Sequence, residues 1–414
     1  MYDLHLTSEQ LEFRDTVRDF VDNEIKPVAL HPDRLQPFEK PLLIDLVEKA
    51  SQMGLRTLSL AEEAGGAGAD GLTACIVLEE LAAGDVDIAA VLGHTSFLGH
   101  ALFDELLSPE QRTRFLKEFS EDDRYHLAFA GSDPGAGVGW VYHRAQLAEH
   151  GSELSAKKQT NGDWVINGNL SFVANAPIAK LFVVQVRTDP KKTGASGMST
   201  LLVPRDAPGL AIGGAPKATG DAIRWHQGTG ASVSFKDCKV AADHLVGKEG
   251  QSPLAGGSLL ARAVPQMAAI NLGLGRVAYE AAVEYAKIRR QGGRNIIEHQ
   301  AIGTKLADCA IRLELARNMI WKAAWVADHP DAVADRSAPG LPLHTIARVY
   351  TAEAVNEVTL LAAECFGAMG VMRDMPLQKY VHDGFVFAHA EQTDDAAKLG
   401  IAEAIAGFER PLAA

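Results

Sequence analysis

A chain of 414 residues with 47% hydrophobic side chains is long enough to bury a large core and to divide into two or three domains. Its net charge of −13 leaves no basic face for nucleic acid or for an anionic membrane surface. Cys75, Cys238, Cys309 and Cys365 are widely separated without CxxC spacing, so neither a disulfide framework nor a zinc site is implied and the thiols read as reduced. The amino terminus lacks a basic segment followed by an apolar one, and no apolar run reaches the roughly 18 residues of a bilayer span, which predicts a cytoplasmic protein without membrane insertion. The histidines invite a metal hypothesis, but neither His94 with His100 nor His382 with His389 has the spacing of a helical zinc site, and no metal is expected.

Thr7 and Gln10 fit a capping box, after which Leu11, Val17, Phe20, Val21 and Ile25 recur near the helical period up to Pro27. PLLIDLVEKASQMG and LTACIVLEELAAG predict two more helices, separated by EEAGGAGADG, whose glycines cannot hold a helix. Residues 1–127 therefore form an α-helical domain. From about Phe129 the texture changes to short β-branched and aromatic runs, LFVVQV, STLLVP and ASVSF, between Gly, Pro and Asp clusters. This is a β domain over 128–246. Residues 247–414 return to long apolar-striped helices suited to a four-helix bundle, the last of them around DDAAKLGIAEAIAGF. The fold class is α+β. GLGRVA, from Gly273, lies inside a helical pattern without a preceding strand or a third glycine, so it reads as a packing glycine and not a dinucleotide fingerprint.

Glu391 is the candidate for chemistry. It follows FVFAHA, and burial among apolar neighbours raises a carboxylate's pKa toward neutrality, as a base for a carbon acid requires. On an ordinary helix the same residue would be a solvated acid.

The segment from Glu364 to Thr393 resembles the C-terminal region of acyl-CoA dehydrogenases, with Gly367, Gly370, Pro376, Asp383, Glu391 and Thr393 at that family's spacing. Three other stretches resemble the family in the same order. FAGSDPGAG, Phe129 to Gly137, is similar to its T-E-P-G-A-G-S-D signature, and WVINGNLSFVANA to its I-N-G-x-K-x-W-I-T-N segment. YAKIRRQGGRNIIEHQ keeps the family's arginine, glycine and glutamine as Arg289, Gly293 and Gln300. The resemblance covers essentially the whole chain. It implies an acyl-CoA dehydrogenase-like fold, with an N-terminal helical domain, a central β-barrel or sandwich and a C-terminal four-helix bundle, assembled as a homo-oligomer, dimer or tetramer.

It also implies FAD and an acyl-CoA substrate. Glu391 would take the α-proton while hydride leaves the β-carbon, and electrons would pass to an electron-transfer flavoprotein. Phe129, Ser132, Gly137, Phe172 and Ala174 are the implied flavin contacts on the β domain, the Ser132 hydroxyl as a donor and Phe172 as the stacking ring. Arg289 and Gln300 would hold the pyrophosphate and adenosine of a flavin in a neighbouring subunit, with Glu364, Gly367, Ala368, Thr393 and Asp395 as further cofactor contacts. Val138, Ala390 and Gln392 fall on the substrate side. The small Ala390 beside the base suits a branched, cyclic or aryl acyl group.

Some positions depart from the family pattern. Asp133 stands for glutamate, Val138 for serine, Ala174 for a hydroxyl residue facing flavin N5, and Gly292 for phenylalanine; Arg262 lies two residues from the place of a family arginine. These keep three further readings open: a same-fold flavin monooxygenase or oxidase, an enoyl-CoA reductase, and a catalytically silent partner subunit of a hetero-oligomer.

Overall fold

The computed structural model describes residues 5–32, 42–131, 154–192, 196–213, 226–255, 257–329, 341–372, 374–389 and 394–407. Helix α1 (Ser8–Phe20) starts at the expected capping box: the Thr7 hydroxyl accepts the Gln10 N–H at 3.1 Å and the Gln10 side chain accepts the Thr7 N–H at 3.0 Å. The chain continues through a wide turn at Val21–Ile25 into α2 (Lys26–Ala29), where Pro27 falls in the first turn and its missing N–H breaks no bond.

Helices α3 (Ile44–Gln52), α4 (Gly71–Gly84), α5 (Val86–His100) and α6 (Pro109–Glu121) complete the first domain. Asp85 caps α5 by accepting the Asp87 and Ile88 N–H groups at 3.0 and 3.2 Å. Helices α4 and α5 are buried on almost every side, so neither has a solvent face to mark a 3.6-residue alternation. The same burial corrects the expectation that no stretch is long enough to span a bilayer. Val86–Leu106 and Leu343–Val371 pass that test by length and composition, yet 83% of the first window is buried inside protein, so it is a core helix.

The β domain is a single hydrogen-bonded sheet among the described residues. Its strands are β1 (His126–Ala130), β2 (Ser155–Lys158), β3 (Trp164–Ala174), β4 (Ala179–Arg187), β5 (Met198–Pro204), β6 (Leu210–Gly213), β7 (Gly230–Val240) and β8 (Leu245–Val246). The order is β6-β7-β3-β2-β4-β5-β8, with β1 parallel to β4 as a branch. Alternation along β4 splits its side chains between two cores. Phe182, Val184 and Val186 join Trp164, Ile166 and Phe235, while Leu181 and Val183 meet Phe103, Phe115 and Phe119 of the helices.

The third block opens with α7 (Gly257–Ile288), followed by a hairpin of β9 (Arg290–Gln291) and β10 (Arg294–Asn295), α8 (Gln300–Asp328), α9 (Leu343–Phe366), α10 (Leu377–His389) and α11 (Asp394–Ile405). The stretch before Glu391 forms α10, a helix that begins just after Pro376 and packs on α7 and α9. Helix α9 runs alongside α7 in the same direction: Met267 meets the cluster of Ala352 and Phe387, Gly275 faces Val355, and the Tyr285 and Phe366 rings stack at 4.1 Å.

The first and third blocks share one core, in which Val17, Val77 and Leu92 pack with Ile270, Ala278 and Val355. Beside it runs a chain of charges, buried except at its Arg18 end. Arg18 of α1 and Arg276 of α7 each reach Glu80 of α4 at 2.7 Å, and Arg317 of α8 reaches Glu79 at 2.7 Å. Burial acts to lower the Arg276 pKa, but Glu79 and Glu80 outweigh it and the guanidinium is held raised. GLGRVA lies inside α7 as expected, with Gly273 seated on the α4 backbone.

Candidate functional site

At the ends of β1 and β3 two aromatic rings are left on the sheet. Phe129 is 39% exposed on a strand whose other residues are buried. Phe172, half-buried, lies flat on Gly230 of the neighbouring strand: a Cβ there would sit 2.1 Å from the ring. Ala174 pairs with Gly230 in the same ladder and brings only a methyl group. The His226 ring lies 4.6 Å from Phe172, and His94 of α5 lies 6.4 Å from His226.

Asn175, the residue after β3, ties this corner together. Its backbone is left-handed, at φ 62°, and its side chain is 1% exposed. The amide donates toward the carbonyls of Val91 on α5 at 3.2 Å and Leu127 on β1 at 3.3 Å, with the Thr95 hydroxyl at 3.3 Å. Thr95 in turn meets His126 Nδ1 at 3.2 Å, and burial pushes that imidazole down to about 3, so it is neutral at pH 7. Asn175→Ala removes the buried amide's bonds to the Val91 and Leu127 carbonyls and the Thr95 hydroxyl, and puts a β-carbon residue without local compensation in the left-handed region. A loss of roughly 3 kcal/mol in unfolding free energy is expected from chemical denaturation. A loss below about 1 kcal/mol would refute the anchoring role.

Helix α10 is anchored from both ends. Lys379, 5% exposed, donates to Asp383 at 2.8 Å and lies 3.9 Å from Asp85, the cap of α5. At the other end Phe387 and Ala388 pack with Ala352 and Met267. The helix ends at His389. Ala390, Glu391, Gln392 and Thr393 lie outside the described residues, as do Ser132, Gly137 and Val138. Asp395 falls on α11.

The remaining expected contacts gather elsewhere. Arg289 closes α7, Gln300 opens α8, and Glu364, Gly367 and Ala368 lie at the end of α9, all of them exposed. Lys305 of α8 is paired with Glu364. Gly367 turns the chain at φ 58°, ψ −135°, a conformation open to glycine and strained for other residues. From Met267 to Arg289 the helix rises about 33 Å at ~1.5 Å per residue. Arg289 and Gln300 therefore cannot touch a ligand that reaches only the Met267 end of the same α7. This agrees with the family resemblance, which assigns Arg289 and Gln300 to the flavin of a neighbouring subunit.

Arg262, whose role the sequence left open, binds Glu105 through two nitrogens, one at 2.6 Å. It lines a cavity of about 420 Å³ with Phe97, His100, Asp104, Gln266 and Asp328. None of the residues expected at the site lines that cavity. Burial raises the Asp328 carboxyl there, partly offset by the Gly71 N–H it accepts.

The described residues thus form a helical domain, a sheet bearing two partly exposed aromatic rings and a second helical domain. Three domain models agree: acyl-CoA dehydrogenase N-terminal at residues 7–123, middle at 128–237 and C-terminal at 257–406. The chain belongs to the acyl-CoA dehydrogenase family, oxidoreductases that act on acyl-CoA with FAD as cofactor. It is 29% identical over 397 residues to the mitochondrial isobutyryl-CoA dehydrogenase of Dictyostelium discoideum, covering 95% of this chain and 88% of that protein. It is also 29% identical over 404 residues to the short-chain specific acyl-CoA dehydrogenase of Clostridium acetobutylicum, covering 96% and 98%. Among solved structures, butyryl-CoA dehydrogenase from Megasphaera elsdenii shares the fold, with a TM-score of 0.83 at 24% identity over 98% of this chain and 100% of that one.

Phe129, 39% exposed, and the half-buried Phe172 offer ring surface that fits a flat cofactor, and Gly131 and Gly230 make room for these two rings, since a Cβ at either would lie 2.6 or 2.1 Å from them.

Proposed function

We propose that this chain removes two hydrogens from the α and β carbons of a short or branched acyl-CoA thioester to give the trans-2-enoyl-CoA, with Glu391 as the base for the α-proton. The observation that supports this most is the anchoring of α10: its last turn is packed on Met267 and its first on the α5 cap, two residues before the acid. A base must be held against its carbon, and a helix fixed at both ends is a firm point of attachment for the acid that follows it in sequence. FAD, when bound, supplies the hydride acceptor. Phe172 and Phe129 would pack on it, and Ala174, lacking a hydroxyl, leaves hydrogen bonding near N5 to backbone groups. The α-proton is too weakly acidic for a carboxylate alone, so the thioester oxygen must accept a hydrogen bond; the backbone N–H of Glu391 is the donor within this chain. Ser132, Gly137, Thr393 and Asp395 complete the cofactor contacts, and Val138, Ala390 and Gln392 border the acyl group.

The short and branched acyl classes are favoured by the small Ala390 and by the names of the two curated relatives. The roughly 30 Å between the Phe387 end of the bundle and Arg289 favours a homo-oligomer, in which Arg289, Gln300, Glu364, Gly367 and Ala368 serve the flavin of a neighbouring subunit. We place the protein in the cytoplasm, on its buried thiols, and assign an electron-transfer flavoprotein as its acceptor.

The test is the visible spectrum of the purified protein, followed by anaerobic titration with butyryl-, isobutyryl- and 3-phenylpropionyl-CoA. Flavin bands that bleach with butyryl- or isobutyryl-CoA are the expected result. Bands that no thioester bleaches would turn the reading toward an oxidase or reductase, and absent bands after added FAD toward a silent subunit.

A further inference from the structure

The segment from His226 to Gly230 is laid along α5 beside Phe172. The Gly228 N–H donates to Asp87 Oδ1 at 2.9 Å, and the α-carbon of Gly228 lies against Ala90 and Val91, where a Cβ would meet them at 3.4 and 3.5 Å. His226 reaches back over Phe172 at 4.6 Å, and its Nδ1 donates to the Gln227 carbonyl at 2.6 Å. Between these two fixed residues stands Gln227. It is 5% exposed, and among the described residues neither the oxygen nor the nitrogen of its side-chain amide has a hydrogen-bond partner.

An amide buried in this way forfeits its bonds to water without replacement, and folded proteins rarely keep such a group unless something else satisfies it. Its surroundings say what that partner is. Asp87, 4% exposed and bonded to the adjacent Gly228, puts a buried carboxylate next to the position, which disfavours an anionic guest. The amide offers both a donor and an acceptor, and the neighbouring His226 ring stands tilted between Phe172 and His94, at 4.6 and 6.4 Å, so the surroundings are aromatic and half apolar.

We propose that Gln227 is a specificity-determining residue: the acyl group that enters beside Phe172 carries a neutral hydrogen-bonding substituent, a ketone, hydroxyl or amide beyond the two carbons that lose hydrogen, and the Gln227 amide binds it. This rests on the reading that the thioester is oxidised beside Phe172. It adds to that reading a substrate class that straight-chain and simple branched thioesters do not satisfy.

The experiment uses the FAD-loaded protein and its Gln227→Met variant, which keeps the length of the side chain and removes both polar atoms. Anaerobic flavin reduction is followed with hexanoyl-CoA, 5-oxohexanoyl-CoA and glutaryl-CoA, with butyryl-CoA as the reference thioester. The expected wild-type result is a kcat/KM for 5-oxohexanoyl-CoA about tenfold above hexanoyl-CoA, carried mainly by KM, with glutaryl-CoA below both. In Gln227→Met the ratio of the first two falls by about fivefold or more. Gln227→Leu replaces the methionine variant if that protein does not fold, and the wild-type ranking decides independently of either. Equal use of hexanoyl- and 5-oxohexanoyl-CoA, or a ratio that survives the substitution, overturns the proposal and leaves the amide to a buried water. A preference for glutaryl-CoA overturns the neutral class. If butyryl-CoA and all three others leave the flavin oxidised, the dehydrogenase reading itself falls and this proposal with it.

Discussion

Replacing Glu391 by glutamine is expected to slow anaerobic flavin reduction by butyryl- or isobutyryl-CoA by at least about a thousandfold, while FAD and the thioester still bind. A positioned general base contributes roughly 10²–10⁴ to a rate, and here no second carboxylate is available in the sequence next to Glu391 until Asp394. Glutamine keeps the shape and the hydrogen-bonding oxygen but cannot take a proton, so the loss belongs in kcat more than in KM. The two sides of the experiment separate chemistry from folding. A spectral shift of the bound flavin on adding the thioester reports binding, and bleaching reports proton and hydride removal. Bleaching at close to the wild-type rate would take the base role away from Glu391. Loss of the flavin bands altogether would show that the residue supports the cofactor.

Much of this molecule was open to reading in the sequence because local chemistry agreed with the global fold. The Thr7 and Gln10 box caps α1, the β-branched runs become the sheet, and Gly273 packs inside a helix. Helix α5 escaped because a helix surrounded by protein has no polar face to mark its period. Helix α10 escaped for a different reason: it contains Gly384, which lowers helical propensity, and beyond its local Lys379–Asp383 pair it is held by the contact of Lys379 with Asp85, distant in sequence. Asn175 was noticed only as a match to a family pattern. That its amide would reach α5 and β1 at once depends on three elements meeting, which no local rule encodes. The orphaned amide of Gln227 is likewise a property of the packed state, since in the sequence it is one more polar residue in a loop.

Gly273→Ala and Gly303→Ala are expected to change stability in opposite directions, although both replace a helical glycine. In a helix interior the exchange is favourable by up to about 1 kcal/mol, because alanine loses less backbone entropy. At Gly303 of α8 a Cβ would meet nothing within 4 Å, so that gain should stand. At Gly273 the Cβ would lie 2.2 Å from the Glu79 carbonyl oxygen and 2.9 Å from the Ala82 side chain. The first obstacle is backbone, with no rotamer to move, so α4 and α7 must separate. Separation also stretches the contacts one turn on, where Arg276 reaches Glu80 at 2.7 Å from a position that is 13% exposed. Overpacking costs about 1–3 kcal/mol, and a buried ion pair pulled apart costs more than it contributed. The clash therefore outweighs the propensity gain. Gly273→Ala should lower the unfolding free energy by about 3 kcal/mol or more, while Gly303→Ala should hold or raise it, both measured by denaturant titration of the FAD-loaded protein. Equal and favourable shifts in the two variants would mean that α4 and α7 do not approach each other this closely.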